Sequence, residues 1–67
     1  MTYELACLFK AETDAACLIV DPASGEEIWI PFSQIEERHG NRDSRGRYSG
    51  EGTIKMTDWI ARKKGLL

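Results

Sequence analysis

The sequence predicts an α+β domain, a small antiparallel four-strand sheet or barrel-like fold with a short C-terminal helix. Three observations predict it. Tyr3, Leu5, Cys7 and Phe9 alternate along the opening segment as the side chains of a half-buried strand do. Short turn-forming stretches separate this segment from two further apolar ones, which is the spacing of antiparallel neighbours. From Thr57 onward the chain carries the start and stop signals of a helix. With 67 residues the chain makes a single domain, 1–67. A domain of about 60 residues buries only about 60% of the surface its unfolded chain exposes, which leaves no material for a deep cleft.

The first strand is expected over Tyr3 to Lys10, followed by a turn at Ala11-Glu12-Thr13-Asp14. Ala16 to Asp21 is short, apolar and β-branched at Ile19 and Val20, as in a strand buried on both faces. Asp21-Pro22-Ala23-Ser24-Gly25 has turn chemistry: proline presets φ and glycine supplies the positive φ that closes the loop. A third strand, Glu26 to Pro31, completes a meander and ends where Pro31 withdraws a ladder N–H. Ser33-Gln34-Ile35-Glu36 matches the S-x-x-E capping box, which predicts a helical turn over Ser33 to Glu37; a bent strand through Gln34 is the competing reading.

Arg38 to Gly52 has four glycines, no aliphatic residue and no periodicity, and reads as a flexible loop over 38–52. Thr53 to Met56 resumes an alternation and forms the fourth strand. In the closing helix Thr57 is placed to cap, Asp58 to face the positive end of the helix dipole, and Arg62, Lys63 and Lys64 the negative end. Gly65 fits the left-handed position past the last turn, with Leu66 folding back. Trp59 and Ile60 are expected to anchor this helix.

Charge divides unevenly along the chain. Residues 1–37 carry eight acids and one base, net −7, whereas residues 38–67 carry eight bases and three acids, net +5. Such halves either attract each other within the fold or present two surfaces of opposite sign. No stretch approaches the ~20 apolar residues of a membrane span, so no membrane association is expected, and the default location is the cytoplasm. Cys7 and Cys17 read as reduced, packed thiols.

The inventory for chemistry is poor. One histidine, His39, and two cysteines without a C-x-x-C spacing cannot assemble a closed zinc site, so no metal, no cofactor and no catalytic residue is expected, and the chain reads as no enzyme. Two charged groups stand out instead. Arg42, Arg45 and Arg47 with Tyr48 suit an acidic protein surface, or nucleic-acid phosphates with tyrosine stacked on a base. Glu26, Glu27, Glu36 and Glu37 suit a carboxylate face that mimics phosphate. Trp29 is the anchor candidate if its ring is exposed.

The segments KAETDAACLIVD, EIWIPFSQIEE and IKMTDWIARKKGL resemble a group of small bacteriophage and prophage proteins with a W-[IV]-P-x-S-Q motif and a closing W-[IL]-A-x-x-K-G-L helix. The likeness covers nearly the whole chain and departs from the pattern at Asp14 and Phe32, where the group commonly carries basic residues. The resemblance implies a non-enzymatic accessory protein in the host bacterial cell, encoded near recombination or replication functions. Its partner would be a protein of a nucleic-acid machine, host defence included, as for anti-CRISPR inhibitors. Direct binding of single-stranded nucleic acid through the 38–52 loop is the alternative, and an exposed edge strand leaves room for a homodimer.

Overall fold

The structure, a computed structural model, describes residues Met1–Leu67. Five strands run β1 (Thr2–Glu12), β2 (Ala16–Val20), β3 (Glu27–Pro31), β4 (Ile35–Arg42) and β5 (Tyr48–Thr57), followed by helix α1 (Asp58–Lys63). They form one antiparallel sheet in the order β3-β2-β1-β5-β4. The expected meander of three strands is present. The expected four-strand count is corrected to five, and the barrel-like alternative to an open sheet with β3 and β4 as its edges.

The flexible loop expected over 38–52 is the main correction, because most of it is the β4–β5 hairpin. Within 38–52 the positions on the concave side are Arg38, Gly40, Arg42, Tyr48 and Gly52, so no aliphatic alternation marks this stretch; Ile54 and Met56, in the expected fourth strand, continue it as the end of β5. The ring of Phe9 fills the space above the glycines: a Cβ on Gly52 would lie 2.6 Å from Phe9 Cε2, and one on Gly40 would lie 3.4 Å from the same atom. Glycine is here a packing residue.

The joint at Pro31 also differs from the expectation. A short 3-10 turn spans Phe32–Gln34, Pro31 precedes it in extended conformation (φ −63°, ψ 137°), and no side chain caps it. The S-x-x-E signal fails because pairing with β5 draws Ile35 to Arg42 into a strand. This turn links the two outermost strands. Laid flat, four strand spacings would separate them by about 19 Å, whereas four peptide units reach at most about 14 Å. The sheet therefore curls, and its concave face holds the core.

That core is Cys7, Phe9, Cys17, Ile19, Ile28, Ile30, Ile54, Met56, Ile60 and Ala61. Helix α1 seals one end. Thr57 Oγ1 accepts a hydrogen bond from the Ile60 N–H at 3.4 Å and donates one to Gln34 Oε1 at 2.6 Å, which ties the 3-10 turn to the helix cap. Gly65 (φ 75°) ends the helix in a Schellman arrangement, with Leu66 N–H to Ala61 O at 2.8 Å and Gly65 N–H to Arg62 O at 3.1 Å. Ile60 anchors α1 as expected; Trp59 does not, being 59% exposed with Lys63 over its ring.

Candidate interaction surface

The β4–β5 hairpin positions the basic group. Its tip is Asp43-Ser44-Arg45-Gly46, a type I turn completed by Gly46 at φ 78°. The Asp43 carboxylate accepts the backbone N–H groups of Arg45 (2.9 Å) and Arg47 (3.0 Å). Those bonds, that of Arg47 first, hold its carboxyl below the usual aspartate range. Sequence pattern does carry this signal: aspartate at the first and glycine at the fourth position of D-S-R-G mark a type I turn.

The tip arginines and the strand arginines have different surroundings. Arg45 and Arg47 are exposed at the turn. Arg42 lies with its guanidinium carbon 4.7 Å from the centre of the Tyr48 ring and donates to the Tyr48 hydroxyl at 3.0 Å. That hydrogen bond raises the Arg42 pKa above its ordinary value. None of Arg42, Arg45 and Arg47 has a carboxylate within salt-bridge distance.

Arg38, absent from the expected site residues, organises the concave side of the hairpin. Its guanidinium carbon lies 4.9 Å from the Phe32 ring centre and 4.5 Å from that of Tyr48. It also pairs with Glu12 at 3.4 Å, both side chains about one-fifth exposed. Tyr48 in turn packs on Phe9 with centroids 5.2 Å apart and donates its hydroxyl to the Arg38 carbonyl at 3.1 Å. The tyrosine is thus built into a stack of arginines and aromatics rather than presenting an open ring. Only the long-range register, which sets Arg38 opposite Ile54, reveals this role. A shallow depression of about 350 Å³ lies beside the stack, lined by Phe32, Arg38, Arg42 and Tyr48 together with Glu36 and Glu37.

The four glutamates are not brought together. Glu26 precedes β3 and Glu27 opens it, away from the 3-10 joint, whereas Glu36 and Glu37 lie near that joint at the start of β4. Glu27 pairs with Lys10, and Glu37 faces Lys55 at 3.9 Å and His39 at 3.4 Å. Part of the charge asymmetry is therefore consumed inside the fold, through Glu12–Arg38 and Glu37–Lys55.

Trp29 stands on the convex face, 42% exposed, opposite the half-buried Leu18 of β2. The two thiols are buried and free. Burial first, and Cys17 second, push the Cys7 thiol up to about 11; burial likewise raises Cys17. No group of three or more His, Cys, Asp or Glu side chains is placed to hold a metal ion, and no helix is long and apolar enough to cross a membrane. No family model, curated protein or solved structure matches the chain.

Proposed function

We infer that the chain is a non-catalytic binding module whose β4–β5 hairpin recognises an acidic patch on a protein. One observation carries the reading: Arg42, Arg45 and Arg47 lack carboxylate partners while standing on a hairpin whose tip is pinned by Asp43. Guanidinium groups held on a fixed frame lose less side-chain freedom on meeting a carboxylate than those on a mobile loop. The resemblance to small phage proteins supports a partner within a nucleic-acid machine, of the phage or of its bacterial host, and a role as an accessory or as an inhibitor of host defence.

The second reading, single-stranded nucleic acid on the same arginines, has the same unpaired cations in its favour. Two features weigh against it. The Tyr48 ring already packs against Phe9, Arg38 and Arg42, so it is poorly placed to stack on a base, and the chain is net acidic at −2.

Affinity capture from nuclease-treated lysate of infected bacteria separates the two. The protein reading expects a partner retained by the wild type and by Glu26→Lys with Glu36→Lys, and weakened about tenfold or more by Arg45→Glu with Arg47→Glu. Capture unaffected by the arginine reversal contradicts it. So does a gel shift on single-stranded DNA that fades steeply with salt and vanishes in the reversal variant.

A further inference from the structure

The two edges of the sheet are finished differently. Along β4 the register slips between Ile35 and Glu37 and again between Gly40 and Asn41. Such bulges, with the charges of Glu36, Glu37 and Arg38, are how an edge is closed to further pairing. β3 pairs with β2 without a slip, and only its far side is free.

Which backbone groups face outward follows from the ladder. The Asp21 N–H donates to the Glu26 carbonyl and the Phe32 N–H to the Ala15 carbonyl, each at 2.9 Å. In an antiparallel pair the bonded positions alternate. Glu26, Ile28, Ile30 and Phe32 therefore face β2, whereas Glu27, Trp29 and Pro31 turn their backbone outward. Pro31 thus costs the internal ladder nothing, since its absent N–H would have pointed away from β2.

We propose that β3 pairs antiparallel with β3 of a second copy of this chain, with the two-fold axis beside Trp29. A rotation about that axis sets Trp29 against its copy, Ile28 against Ile30, and Glu27 against Pro31. Each Trp29 N–H meets the other Trp29 carbonyl, and each Glu27 N–H meets a Pro31 carbonyl. Both outward donors on each strand are thereby satisfied by acceptors that the same strand supplies. The Glu27 carbonyl, opposite the copy's Pro31 nitrogen, finds no donor there and stays in water at the end of the ladder.

Side chains agree with this register. Glu27 meets proline and Glu26 meets Phe32, so no like charges are opposed. The two Trp29 rings, each beside Leu18, become neighbours on one continuous convex face, covering a ring that is 42% exposed in the single chain. The β4–β5 hairpins lie at the opposite edge of each sheet, so both copies keep theirs free. The contact is small, which places the dimer among weak interfaces.

Sedimentation equilibrium of the purified chain, from micromolar to millimolar concentration, tests the pairing. The weight-average mass should climb from 7.6 kDa toward twice that value. Trp29→Lys, which sets two charges face to face, and Glu27→Pro, which removes an outward donor that β2 does not use, should each hold the mass at the monomer value while circular dichroism stays unchanged. Glu36→Lys, on the other edge, should dimerise like the wild type. A wild type that remains monomeric throughout overturns the proposal. So does a dimer that survives both β3 substitutions, or one that Glu36→Lys alone abolishes.

Discussion

At Gly52 a single missing carbon decides whether the hairpin can sit on the core. A methyl group there would run into the His39 carbonyl and lie 2.6 Å from Phe9 Cε2. Gly52→Ala should therefore lower stability by about 2–3 kcal/mol, read from denaturant unfolding, the range of an overpacked core. The sequence shows the glycine without showing its purpose, because Phe9 lies more than forty positions away along the chain. The thiols are more legible. Cys7 occupies an inward position that the alternation already marks, Cys17 lies in the short apolar second strand, and both are buried. Cys7 ionises at about 11 in the fold against 9.0 ordinarily. Between those values the unfolded chain has lost a proton that the folded one keeps, so this contribution to stability is full below pH 9.0 and declines as pH rises toward 11. Unfolding midpoints measured across that window should fall for the wild type, and less for Cys7→Ala measured against its own midpoint at neutral pH. In the native state both thiols should alkylate far more slowly than in denaturant.

Among the elements, α1 and the first three strands could be placed from the sequence because their signals are local: apolar alternation, proline-glycine turns, a threonine cap and a glycine stop. Thr53 to Met56 could be placed as well, and it forms the end of β5; the rest of the β4–β5 hairpin could not, since it takes its apolar cover from Phe9, Tyr48 and the stems of Arg38 and Arg42. Only its tip speaks locally, through D-S-R-G. The turn is also sensitive to acid. Asp43 titrates below its ordinary 3.8 because its charged form accepts the Arg47 and Arg45 N–H groups. Its support for the turn is complete above 3.8 and is lost as pH falls through the lower folded value. The Arg45 and Arg47 amide resonances should therefore shift together below 3.8, and Asp43→Ala should abolish that titration.

Over the whole molecule, the curl forced by a three-residue link between opposite sheet edges gives a small chain a concave side to fill. Ten apolar side chains fill it, and the large apolar side chains left exposed are Met1, Trp29, Trp59 and Leu67. The arginines of the candidate site were visible in the sequence as a cluster. Their partition was not: Arg42 belongs to Tyr48, Arg45 and Arg47 to solvent, and Arg38, outside that cluster, to the packing. Long-range register creates these differences, and composition is blind to it. Recognition through those arginines requires an ordered hairpin to carry them. Amide hydrogen exchange over residues 38–52 measures this most directly. Amides that point into the ladder, as at His39 of β4 opposite Thr53 and at Gly52 of β5 opposite Cys7, should be protected to a degree comparable with β1. Exchange at unstructured rates throughout 38–52, with β1 and β2 still protected, would contradict it.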